Sequence, residues 1–105
     1  MLDLKSMGIT NLALTMKITD GQAKTIKNRI DSRVAILCSG KSNAYLSIVL
    51  RKEIYSHVWK TLKDHFCVTD YHDICRKNYS ESLKYINSIV LPEDLLKEVQ
   101  ALNSH

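Results

Sequence analysis

The sequence predicts a mainly α fold: a small helical domain of about four helices with one long central helix and an N-terminal extended arm or short strand. Three observations lead there. Apolar residues recur at three- and four-residue intervals over most of the chain beyond residue 19, the spacing of one helix face. One Pro and three Gly punctuate 105 residues, too few for the many tight turns of an all-β fold. A content of 45% hydrophobic and 25% charged residues is ordinary for one soluble domain. At this length about two thirds of the unfolded surface can be buried, so one core is expected and pairing between copies would add stability.

Two segments are expected, an arm over residues 1–18 and a helical domain over 19–105. From Asn11 to Ile18 the side chains alternate, with Leu12, Leu14, Met16 and Ile18 on one side and Asn11, Ala13, Thr15 and Lys17 on the other. That is the period of a half-buried strand. No second strand is evident to pair with it, so it is expected to pair with another subunit or to dock elsewhere.

The first helix starts at Thr19, whose spacing to Gln22 has the form of a capping box, with Asp20 at the positive end of the dipole. Ala23, Ile26, Ile30, Val34 and Leu37 form its apolar face, and Ser39 and Gly40 stop it. Asp20 with Lys24 and Lys27 with Asp31 are four apart and can pair along its outside. A polar loop leads to the long helix, Asn43 to Phe66, which would span ~36 Å if unbroken. Ala44, Ile48, Tyr55, Val58, Leu62 and Phe66 follow one stripe, and Leu46, Val49, Leu50, Ile54 and Trp59 widen it. A helix apolar on two faces in so small a domain marks Leu46 to Ile54 as a candidate interface. Asn78 with Glu81 suggests a further cap, ahead of a helix buried through Tyr79, Leu83, Ile86 and Val90. Pro92 then opens a last helix to Leu102, with Leu95, Leu96, Val99 and Leu102 as its apolar side.

Several kinds of chemistry find no support. The sequence has no Gly-rich phosphate loop, nucleophile elbow or HExxH pair, so an enzyme is not expected. His65, Cys67, His72 and Cys75 are crowded around a helix end rather than set as two separated doublets, so no metal and no cofactor are expected. His65 and His72 read as solvent-facing. Cys38, Cys67 and Cys75 read as reduced, small buried residues. No run reaches the ~18 apolar residues of a membrane span, and the start MLDLKSMGI lacks a signal-peptide layout, so a cytoplasmic protein is expected. Residues 17–63 hold ten Lys and Arg against three acids, and residues 64–105 hold four against seven. Lys24, Lys27, Arg29, Arg33, Lys41, Arg51 and Lys52 could bind phosphates, but they are spread around their helices rather than gathered on one stripe.

One stretch has a more specific pattern. Tyr55, Trp59 and Leu62 precede Phe66, Val68, Tyr71 and Ile74; the basic doublet Arg76 and Lys77 follows, then Tyr79, Leu83, Tyr85 and Ile86. This order resembles the C-terminal domain of temperate-phage antirepressors, where a long helix ends at a Phe, a connector supplies an aromatic, and a second helix starts after a basic doublet. The resemblance implies a helical architecture and an antirepressor that binds a phage repressor protein, keeps it from its operator and promotes prophage induction in a bacterial host cell. About fifty residues precede the matched stretch, so the chain resembles a reduced member in which this domain and its arm do the binding. Tyr55, Trp59, Phe66 and Tyr71 are expected to join the long helix to the connector. Leu12, Leu14, Met16, Tyr45, Leu46, Val49, Leu50, Ile54 and Tyr85 are the candidate contacts to a partner or to further copies in a dimer or tetramer. Direct nucleic-acid binding is not expected; the rival reading is a small DNA-binding regulator using the basic residues of 17–63.

Overall fold

A computed structural model of the chain describes residues 16–104. Of the alternating segment, 11–15 lie outside the described residues, including Leu12 and Leu14. Five α-helices follow: α1 Asp20–Leu37, α2 Asn43–Leu46, α3 Ile48–His65, α4 Tyr79–Ser88 and α5 Glu93–Asn103. Two 3₁₀ turns, Tyr71–Asp73 and Arg76–Asn78, lie between α3 and α4.

The capping box forms as the sequence predicts. Gln22 N–H donates to Thr19 Oγ1 at 3.1 Å and Thr19 N–H donates to Gln22 Oε1 at 2.9 Å, satisfying two helix-end donors reciprocally. Ala23, Ile26, Ile30 and Val34 are buried along α1, and Cys38 closes the row. The helix ends where Ser39 and Gly40 take positive φ, 66° and 82°, and Gly40 N–H reaches back to Ala35 O at 2.8 Å. Lys27 pairs with Asp31 at 3.7 Å, whereas Asp20 and Lys24 form no ion pair among the described residues.

The expected unbroken helix from Asn43 to Phe66 is in fact two. Ser47 is extended (φ −71°, ψ 110°), and its hydroxyl accepts from Leu50 N–H at 3.3 Å, so it caps α3 instead of continuing α2. This break changes which residues face inward. Leu50, Ile54, Val58 and Leu62, four apart, form the buried row of α3, while Ile48 lies outside. Leu50 and Ile54, expected at an interface, are therefore core residues of their own chain.

α1 packs against both α3 and α4. Polar bonds fix the arrangement: Tyr55 Oη on α3 donates to Asp31 Oδ1 on α1 at 3.0 Å. Arg33 Nε and Nη2 both donate to Ile89 O, at 2.8 and 2.6 Å, and His57 Nε2 bonds Val90 O at 2.9 Å. The backbone leaving α4 is thus held from α1 and from α3. Because α4 ends at Ser88 and Ile89 is extended, Ile89 takes the buried position and Val90, expected inside, is exposed. On α5, Leu95 and Val99 are buried, but Leu96 and Leu102 are not.

The connector is closely bonded. Cys67 takes φ 55°, and Val68 N–H reaches Lys63 O at 3.0 Å to end α3. Cys67 is exposed and Cys75 half-buried, so only Cys38 of the three thiols is buried as expected. Asp70 caps the first 3₁₀ turn by accepting from His72 N–H at 2.9 Å. Asn78 makes no side-chain cap for α4; the second 3₁₀ turn feeds directly into that helix. The end of the arm docks here. Ile18 N–H donates to Ile74 O at 3.0 Å and Arg76 N–H donates to Met16 O at 2.6 Å, an antiparallel bridge centred on Lys17 and Cys75. The last residues of the alternating segment thus find a partner within the chain, and Ile18 joins the core.

Candidate functional site

Where α2 meets α3, the nine residues Ser42 to Leu50 contain no charged side chain. Leu46, Ile48 and Val49 are 66%, 60% and 71% exposed, a concentration of large apolar side chains in water. Beside them lies a shallow groove of about 330 Å³, lined by Ser47, Val49 and Leu50 from the α3 side and Glu98, Ala101 and Leu102 from α5.

Local bonds create this surface. Ser42 Oγ donates to Cys38 O at 2.6 Å and accepts from Tyr45 N–H at 3.4 Å, starting α2 directly after the α1 stop. Asn103 at the end of α5 accepts from Ala44 N–H at 3.0 Å through Oδ1 and donates from Nδ2 to Cys38 O at 3.1 Å. Asn43 Nδ2 donates to Leu102 O at 3.3 Å. Ala44 is thereby drawn into the core. Its neighbours Leu46 and Ile48, on either side of the Ser47 break, are left in solvent.

The other predicted contact residues divide. Met16 is exposed at the docked end of the arm. Tyr45 is half-buried against the core, with Arg51 over its ring at 5.1 Å and Arg51 Nη1 donating to Tyr45 O at 3.0 Å. Tyr85 also packs against the core and stacks on His65 at 3.8 Å between centroids. Trp59 and Tyr71 pair at 4.6 Å, fastening the connector to α3, and Tyr55 and Phe66 are likewise partly buried against the core. Val49 and the buried Leu50 are therefore the predicted residues that line the groove, and Leu46 is exposed beside it. Glu98 and Ala101 were not among the sequence candidates, and Leu102 was read as core. Nothing in a single apolar helix pattern tells which side meets the end of a neighbouring helix.

Among the described residues, four groups depart from their ordinary protonation range. Burial, then the hydrogen bond to Asp31, pushes the Tyr55 phenol up from 10.0 to about 12. Burial raises the Cys38 thiol, which disfavours the reactive thiolate. The bond to Asp73, at 2.8 Å, raises Lys17, and the backbone N–H of His72 lowers Asp70. Among the described residues no three His, Cys, Asp or Glu side chains converge as a metal-ligand set. His65 is exposed beside Tyr85, and His72 is exposed with Nδ1 donating to Asp70 Oδ1 at 2.8 Å. No helix among the described residues is long and apolar enough to cross a membrane.

The basic residues of the rival reading are partly committed to the fold. Arg33 holds Ile89, Arg51 holds Tyr45, and Lys27 faces Asp31. Lys24, Arg29, Lys41 and Lys52 form no salt bridge among the described residues, and they are divided among α1, the loop and α3.

Against known proteins, the family model of the ORF6C domain matches residues 3–99. Comparison with curated proteins and with solved structures gives no match.

Proposed function

Because the chain belongs to the ORF6C domain family, found in phage-associated proteins, we propose that it is an antirepressor: it binds a phage repressor protein and so keeps that repressor from its operator. The observation that supports this reading best is the charge-free apolar surface of Leu46, Ile48 and Val49 beside the α3–α5 groove. Exposed apolar surface of this kind has a protein as its natural complement, since phosphate binding draws on Lys and Arg. Two of the arginines that would serve a DNA-binding regulator instead bond backbone carbonyls of the same chain.

Antirepression requires no chemistry. If the chain binds a repressor form that cannot hold the operator, mass action withdraws repressor from DNA according to its differential affinity for the two forms. The test is release of a cognate repressor from labelled operator DNA by purified protein, followed by gel shift. Release is expected with wild type and not with Val49→Asp. Retardation of the DNA by this chain alone at physiological salt would instead favour the DNA-binding regulator.

A further inference from the structure

The apolar groove is flanked by unpaired carboxylates. α5 begins just after Val90, whose carbonyl is bound by His57, and ends at Asn103, which bonds Ala44; it therefore runs antiparallel to α3, from the His57 level back to Ser47. Asp94 and Glu98 are four apart on the α5 face that continues to Ala101 and Leu102. On the facing wall, Glu53 is one turn beyond Val49. The groove itself is apolar through Val49, Leu50, Ala101 and Leu102 with Glu98 at its edge, and Glu53 and Asp94 continue the two helix strips beyond it. Glu53, Asp94 and Glu98 are all exposed, and none makes a salt bridge among the described residues. Of the neighbouring cations, Lys97 is bound to Glu93, Lys52 falls on the strip of α3 opposite its buried row, and Lys60, on the Glu53 strip two turns further along, makes no salt bridge among the described residues.

We infer that this groove takes a basic amphipathic helix of the partner protein, seating its apolar side against Val49 and Leu102 and its Lys or Arg side chains against Glu53, Asp94 and Glu98. The inference deepens the antirepressor reading, on which that partner is the repressor. A helix fits for two reasons. Two helices wall the groove, with Ser47, Val49 and Leu50 on one side and Glu98, Ala101 and Leu102 on the other, the kind of site into which an amphipathic helix lays its apolar face. A helix can also present apolar and charged residues on adjacent strips at three- and four-residue spacing. A second copy of this chain is a poor occupant, because its two most basic helices, α1 and α3, each have their apolar row, Ala23 to Val34 and Leu50 to Leu62, already in the core.

The test uses the full chain and a fluorescein-labelled peptide of roughly five helical turns. Leu repeats at helix-face spacing along the peptide, with flanking Lys; a second peptide has every Lys replaced by Glu. The Lys peptide is expected to bind about tenfold or more tightly than the Glu peptide at low salt, the combined effect of a few rim charge pairs. Glu53→Lys with Glu98→Lys in the chain should reverse that preference. Val49→Asp, at an exposed position, should lose both peptides while keeping the wild-type melt. Equal binding of the two peptides, or binding indifferent to Val49→Asp, overturns the inference. So does sedimentation of the wild type as a dimer that Val49→Asp dissociates, because a second copy then fills the groove. Repressor release is scored separately: charge-selective peptide binding without release leaves the groove assignment standing and removes the antirepressor reading.

Discussion

Two of the breaks between helices, the α2–α3 junction and the connector from Phe66 to Asn78, carry apolar side chains that the chain treats differently. In the connector, Ile74 is buried, Trp59 covers Tyr71, and the arm pairs its backbone with Ile74 and Arg76. At the α2–α3 junction the backbone is equally well bonded through Ser42, Ser47 and Asn103, yet Leu46, Ile48 and Val49 remain in water. Apolar composition alone does not separate a closed break from an open one. What separates them, among the described residues, is whether another segment of the same chain closes over the break.

The largest expected effect comes from exchanging the same residue type between the two places. Ile74→Ala should cost about 2–4 kcal/mol in urea unfolding, because Ile74 is 1% exposed and its deletion leaves a cavity. Ile48→Ala should change stability by no more than about 0.5 kcal/mol, as expected for a surface position. Equal losses at both sites would mean that the junction is closed in the free protein.

Asn103→Ala comes next, at about 1–2 kcal/mol, since it leaves Ala44 N–H without its partner and removes one of the two side-chain donors to Cys38 O. The loss should be accompanied by faster amide exchange at Ala44, readable by NMR. An unchanged exchange rate there would show that α2 is held by something other than this amide.

A smaller effect concerns Tyr55, away from both breaks. Its phenol is raised from 10.0 to about 12 in the folded chain. The stability tied to the protonated group is therefore present in full below pH 10 and lost as pH rises toward 12. Tyr55→Phe should cost about 1 kcal/mol at neutral pH and flatten that alkaline decline. A decline of unchanged steepness in the variant would assign it to other groups.

How much of this was legible in the sequence follows from the same physics. The capping box at Thr19, the buried row of α1 and the stop at Ser39 and Gly40 are local, and each was readable from spacing. The break at Ser47 was not, because a Ser inside an apolar run fits a helix interior and a cap alike until tertiary contacts choose. That one residue had consequences for the site. An unbroken helix groups Leu50 and Ile54 with Leu46 and Val49, whereas the cap resets the phase and turns the first two inward. The docking of Met16 to Ile18 on Ile74 to Arg76 is a pairing of segments distant in sequence, in which the connector shows no alternation to announce it. Val90 was misread for a simpler reason: helical spacing was extended two residues past the end of α4.

The most direct test is repressor release measured side by side for the wild type, Val49→Asp, and a triple variant with Lys24, Lys27 and Arg29 changed to Ala. Arg33 is left intact because it holds Ile89. If the chain acts through the junction surface, the triple variant should release a cognate repressor from operator DNA as the wild type does, and Val49→Asp should fail while melting normally. Full release by Val49→Asp, with release lost in the triple variant, would contradict a partner surface at Leu46, Ile48 and Val49 and place the activity on the basic residues of α1.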